Sequence, residues 1–256
     1  MVSFTAFIDV FGVTPTFFVV VSVVGFFGFV VSATFGIGGV VLLIPMLSTT
    51  LPPAEAVALS APVMLVNNVG KSWVYRRSLD RRALWLVSAL SLPTAFVAAL
   101  LTASVDERVL LLGVAGLVLT TLFVERVQQR TIRMSDRALL LWGLVTGVIS
   151  GLCGAAGPPT AIGLRSYGLD KSAFVATVAV FAVFLQFAKL PAYVATEILP
   201  ARMAPLAAWL ALLGVLAAVT GPRLLTRVPE RMFRNVVDGV LLVSAAWLLA
   251  DVWRRS

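Results

Sequence analysis

The chain has 256 residues; 60% are hydrophobic and 12% charged, and 20 Lys and Arg against 12 Asp and Glu give a formal charge of +8. The charged share is about half that of a soluble domain. The arginines also cluster between apolar runs, so the basic excess reads as a membrane topology signal and not as a nucleic-acid surface. One cysteine and no histidine exclude an internal disulfide, a cysteine metal cluster, His-ligated metals and His proton relays; no metal and no cofactor is expected.

Apolar runs of near-spanning length recur at 17–35, 54–75, 84–103, 109–124, 138–152, 172–193, 203–221 and 236–252. A helix needs roughly 20 apolar residues to cross about 30 Å of hydrocarbon. Strict alternation over ten-residue blocks is missing, which argues against a β-barrel. No basic n-region or small-residue cleavage site precedes Phe17, so the first run reads as a span and not as a signal peptide.

After the first span comes Phe35-Gly-Ile-Gly-Gly-Val40, then a short apolar stretch ending near Pro45 to Pro53; after the fifth comes Cys153-Gly-Ala-Ala-Gly-Pro-Pro159, then another short stretch to Gly163. Matched Gly and Pro interruptions in two halves are the sequence form of discontinuous transporter helices. An unwound segment at membrane depth must be buried in protein or face a water-filled cavity. A helix restarting there aims its free N–H groups, with the positive end of its dipole, into that cavity. Gly36, Ile37, Gly38, Gly39 and Val40, with Gly154, Ala155, Ala156, Gly157 and Pro158, are therefore candidate substrate-binding positions. A pair of glycine-based packing seams is the competing explanation; the matched placement favours the site.

Each short stretch leads into a long span with a polar face. Asn68, Lys71 and Tyr75 lie three and four apart, and Gln186, Lys189 and Tyr193 repeat the spacing, so each set shares one helix face. Asn67 adds polarity to the first. An ionisable group within a span is a functional candidate, although Lys71 stands close enough to an arginine loop to snorkel. Two such lysines near two helix restarts describe an electropositive cavity for a small oxyanion. Arg165 reads as a helix-end residue, Glu55 and Glu197 as solvated carboxylates, and most tryptophans as an interfacial belt.

An offset that carries Gly36 onto Gly154, 118 positions on, also carries Gly39 onto Gly157, Lys71 onto Lys189 and Tyr75 onto Tyr193, with about a quarter of positions 32–75 identical. The chain thus reads as one transmembrane domain of two repeats, about 17–125 and 138–252, joined by a linker at about 126–137. Arg76, Arg77, Arg81 and Arg82, the linker arginines, and Arg223, Arg227, Arg231 and Arg234 all fall on one side only if the repeats have opposite orientation. That side is the cytoplasm, and both termini then face out; Arg254 and Arg255 run against it. The expected fold is an all-α polytopic membrane protein: two inverted-topology repeats, about eight full spans and two short broken or re-entrant helical segments.

The stretch Ser32-Ala-Thr-Phe-Gly-Ile-Gly-Gly39 with Pro45, the stretch Ser150-Gly-Leu-Cys-Gly-Ala-Ala-Gly-Pro158, the opening Ala54-Glu-Ala-Val-Ala58 and the ending Tyr75-Arg-Arg77 resemble the sulfite exporter TauE/SafE family of bacterial membrane transporters, over about residues 17–252. Val40 and Ala156 stand where that family commonly has glycine. The resemblance implies transport, usually outward, of sulfite, organosulfonates or related sulfur anions across the bacterial cytoplasmic membrane. The expected function is export of such an anion by alternating access around a midplane site, with an anion channel or a non-transporting assembly protein as alternatives. An enzyme is not expected, since no nucleophile is paired with a base. Expected partners are the small anion and the bilayer, with a homodimer as an option and no nucleic acid.

Overall fold

The computed structural model describes residues 11–35, 39–127 and 133–225, with isolated positions between 242 and 253. Among the described residues there are nine α-helices and no strand: α1 Pro15–Phe35, α2 Gly39–Leu47, α3 Pro53–Tyr75, α4 Arg81–Leu101, α5 Glu107–Val127, α6 Asp136–Cys153, α7 Gly157–Tyr167, α8 Lys171–Ala195 and α9 Ala204–Leu225. The first seven expected spans each fall on a long helix, and α2 and α7 are the two short segments. The expected last span, 236–252, and the arginines at 227, 231 and 234 lie outside the described residues or nearly so.

Polar residues between spans set the helix starts. Asp80, Ser135 and Asp170 occupy the N-caps of α4, α6 and α8, accepting from the backbone N–H of Ala83, Ala138 and Ala173, the local reason these helices begin where they do. The Ala173 N–H and the Ser172 hydroxyl hold the Asp170 carboxyl below the usual carboxylate range. The segments Arg81–Ser104, Asp136–Cys153 and Ser172–Ala195 are each long and apolar enough to cross a bilayer.

Solvent preference is inverted relative to a soluble protein. Phe27, Val97, Phe123, Leu141, Phe187 and Val194 are exposed, while Asn67, Lys71, Ser91, Thr146 and Lys189 are buried. An apolar exterior around a polar interior is what lipid demands.

The helices pair reciprocally. The main contacts are α1 with α9 and α4 with α6, α3 with α9 and α4 with α8, and α3 with α8. Exchanging the first half (α1 to α4) for the second (α6 to α9) turns each pair into its counterpart, with α3 and α8 pairing centrally. These two run antiparallel: Asp80, just past α3, donates its N–H to Thr177 Oγ1 early in α8 at 3.3 Å, whereas Lys189, late in α8, reaches Gly154, which stands against Val57 and Ser60 early in α3.

One seam is much closer than its counterpart. Gly143, Gly147 and Gly151 repeat every four residues on α6, and a Cβ at the first or last would lie 2.7 Å from Val87 O or 2.6 Å from Ala95 O of α4. Small residues let membrane helices approach backbone to backbone, where dispersion and polar contact replace the missing hydrophobic drive. In the α1–α9 seam a Cβ at Gly25 would meet nothing nearer than Leu210 Cδ2 at 3.5 Å. Bulk fills the gap there: Phe11 and Phe18 pack on Trp209, whose indole N–H donates to Ser22 Oγ at 2.8 Å.

Gly151→Ala is expected to destabilise the fold by about 1–3 kcal/mol through overpacking. Gly70→Ala, in a helix with open space around the added methyl, is expected to be neutral. Thermal unfolding of the detergent-solubilised protein measures both.

Candidate functional site

Both short helices double back on the helix before them. In the first half Gly39 lies against Gly28 and Ser32 of α1, and Leu43 lies near Gly25, so later residues of α2 meet earlier residues of α1. A Cβ at Gly39 would come within 2.9 Å of Ser32 Cβ and 3.2 Å of Gly28 O, which is why glycine opens this hairpin. In the second half the Trp142 indole N–H donates to Pro159 O at 2.7 Å, and Gly163 packs on the same ring. The reversal after α6 is made at Gly154, in the left-handed region at φ 76°, where any other L-residue is strained. Both short helices thus pack back along the helix that precedes them.

A helix ending inside the protein leaves carbonyl oxygens without partners. Lys71 Nζ donates to Ser32 O at 3.3 Å and Ser32 Oγ at 2.7 Å. Lys189 Nζ donates to Ser150 O at 3.3 Å and Gly154 O at 3.0 Å. Each lysine thus reaches back 39 positions to the last turn of its own half's broken helix. Both are buried, and neither lines the cavity described next. Tyr193 is buried with its hydroxyl on Gly151 O at 2.5 Å, whereas Tyr75 is partly exposed.

Between the halves lies a cavity of about 60 Å³. One water needs roughly 10–15 Å³ of such space, so it suits a few waters or one small anion. Gly39, Val40 and Val41 at the start of α2 face it, as do Ala155, Ala156 and Gly157 leading into α7. Met64 and Asn68 of α3 and Phe181, Leu185 and Gln186 of α8 form walls near the centres of those helices. Ser32, Ser150 and Thr160 also line it. Of these lining residues, Ser150 and Gln186 each have a buried side-chain oxygen, Oγ and Oε1, without a hydrogen-bond partner.

The structure therefore brings Gly39, Val40, Asn68, Gly154, Ala155, Ala156, Gly157 and Gln186 together. Gly36, Ile37 and Gly38 lie outside the described residues. Pro158 sits in the first turn of α7 without lining the cavity, and Asn67 points to α9, its side chain beside Gly214. Sequence reasoning passed over Ser32, Ser150, Thr160, Met64 and Phe181; the two serines were findable, being identical residues at the same 118-residue offset. Arg165 closes α7 with its guanidinium 4.8 Å from the Phe174 ring centroid. Glu55 is not simply solvated: Arg202 Nη2 donates to both of its carboxylate oxygens, at 2.7 and 2.9 Å. Trp142 and Trp209 make internal hydrogen bonds, while Trp73, Trp85 and Trp253 are exposed as a belt requires.

A helical protein with an apolar exterior and buried polar and charged side chains is, by class, an integral multi-pass membrane protein. A sequence profile of one family, described as sulfite exporter TauE/SafE, matches residues 21–248. The chain belongs to that family, whose members are transporters of sulfur anions and not enzymes. No curated protein and no solved structure matches the chain.

Gly154→Ala is expected to cost stability twice over. It adds about 1–3 kcal/mol of backbone strain, and its methyl would come within 2.8 Å of Ile44 Cδ1 and 3.1 Å of Ser60 Oγ. A lowered unfolding midpoint, against an unchanged one for Gly168→Asn at the exposed left-handed end of α7, is the measurement; asparagine tolerates that region best among larger residues.

Proposed function

We propose that the protein exports sulfite or a related small sulfur oxyanion across the bacterial cytoplasmic membrane, by alternating access at this cavity between two inverted repeats. The observation that carries the reading is the cavity itself: two re-entrant helix starts and two unpartnered side-chain polar atoms surround one small space at the junction of the halves. Backbone N–H groups at the start of α2, and the positive dipole end at both helix starts, favour an anion. Lys71 and Lys189 act from behind, offsetting the negative ends of α1 and α6 and leaving the helix starts to dominate the field. Asn68 and Gln186 contribute hydrogen bonds.

Inversion is supported by the reciprocal helix pairing and the antiparallel course of α3 and α8. Alternating access is supported by two ion pairs that join the halves at opposite ends. Glu55 at the start of α3 meets Arg202 before α9; Arg82 at the start of α4 meets Asp136 at the start of α6, which also accepts from the Tyr167 hydroxyl. About 30 Å of helix α3 separates them along the chain. The arginines in the sequence around residues 76–82 and 126–137 support a cytoplasmic side for the second pair.

An inside-negative potential drives a monovalent anion outward with about 2.3 kcal/mol per 100 mV. At about 150 mV this sustains a gradient of several hundredfold, so export needs no coupled ion.

In proteoliposomes, sulfite flux is expected to saturate and to show counterflow, and Lys71→Ala or Lys189→Ala to lower it about tenfold or more. Linear flux without counterflow indicates a channel. Failure of sulfite, sulfate, thiosulfate and sulfonates alike to bind, or unchanged affinity in both lysine variants, overturns the anion site. A bismaleimide bridging Glu55→Cys to Arg202→Cys is expected to stop flux while preserving binding; undiminished flux overturns alternating access.

A further inference from the structure

The two halves surround the cavity with unlike donors. Gly39, Val40 and Val41, the first described residues of α2, each carry a backbone N–H. The first turn of α7 is Gly157, Pro158 and Pro159, and proline has no N–H. The second half has lost two of three amides where its counterpart keeps them.

Side chains differ in the opposite sense. Ser32 and Ser150 occupy matching positions, and Lys71 and Lys189 approach them across the same 39-residue interval. Lys71 takes the Ser32 hydroxyl at 2.7 Å. Lys189 bonds instead to the Gly154 carbonyl, 3.0 Å away at the left-handed turn. Ser150, 1% exposed, and Gln186, 5% exposed, both line the cavity, and the hydroxyl of the first and the carboxamide oxygen of the second are left unpartnered. A buried polar group without a partner is costly, so these two are held for something that enters. Rotation of the hydroxyl, or a half-turn of the carboxamide, presents either group as a donor.

We propose that Ser150 and Gln186 determine specificity: they replace the amides that Pro158 and Pro159 remove, and they select sulfite, whose fourth vertex is a bare sulfur lone pair, over an alkanesulfonate with carbon at that vertex. This rests on the anion-transport reading above. Backbone amides at α2 hold one side of the anion and the Ser150–Gln186 edge holds the other, so a methyl group at that edge leaves both side chains unsatisfied. A site built to hydrogen-bond its ligand rejects an analogue that sets carbon against its polar groups and leaves them unpaired far more strongly than an apolar pocket discriminates a methylene.

Sulfite and methanesulfonate are the probes, since both present three oxygens and the second carries a methyl group in place of the sulfur lone pair. The full-length protein in proteoliposomes is expected to half-saturate with sulfite at about a tenfold lower concentration than with methanesulfonate. Ser150→Ala and Gln186→Leu are each expected to raise the sulfite value about tenfold while moving the methanesulfonate value by no more than about twofold, erasing the preference. Retained methanesulfonate uptake shows that the variants fold. Ser88→Ala is the control: its hydroxyl is equally buried and unpartnered but does not line the cavity, and both values should stand. Equal or reversed preference in the unmodified protein overturns the assignment, as do variants that weaken both anions alike. If neither anion binds, the transport reading falls and this one with it.

Discussion

Ending a helix inside a bilayer strands carbonyl oxygens where no water can meet them, and the architecture depends on the way Lys71 and Lys189 meet them instead. Each ammonium lies on the last turn of α1 or α6, and each is delivered by the long helix of the same half. That arrangement ties three elements together: the helix that stops, the short helix that doubles back, and the span that supplies the lysine. Without it the reversal would expose unpaired carbonyls at about 1–3 kcal/mol each. With it, the short helices can turn their starts toward a common space, so the cavity is a by-product of satisfying the backbone. The charge that first looks like a ligand for substrate is, geometrically, a ligand for the fold.

The halves keep this device and little else in common. The α4–α6 seam relies on three glycines and backbone contact, whereas α1–α9 relies on a Phe11–Phe18–Trp209 cluster and one indole hydrogen bond. Close backbone packing has few alternative arrangements, while an aromatic cluster has side-chain torsions to spare. Tyr193 ties the second hairpin to α8 through Gly151, and partly exposed Tyr75 stands at the helix end beside the arginine loop. The two halves, paired on the same plan, thus differ in how they pack.

Much of the fold was legible because lipid leaves strong marks: long apolar runs, arginine clusters and paired glycine breaks all follow from the cost of polar groups in hydrocarbon. The residues at the breaks were legible for the same reason, since Gly39 and Gly154 answer steric demands that sequence pattern exposes. The direction of the side chains was not. Adjacent asparagines at 67 and 68 look equivalent in sequence, yet one faces α9 and the other the cavity, because two neighbouring residues on a helix point about 100° apart and only the packing partners decide which side is inside. Ser150 escaped notice because serine is an ordinary small residue in a membrane helix; its significance lies in what Lys189 does not touch. Glu55 was misjudged because Arg202 is remote in sequence, and ion pairs across a fold leave no local pattern.

The one thiol of the chain belongs to Cys153, buried at the end of α6 against Gly113 of α5 and adjoining the left-handed turn. A water-borne reagent gains access to it only when α5 lifts from α6 or the second hairpin loosens. Nature has therefore supplied this molecule with a built-in chronometer: the pace at which that sulfur is alkylated records how often the second hairpin parts from its neighbours, without a foreign label anywhere in the protein.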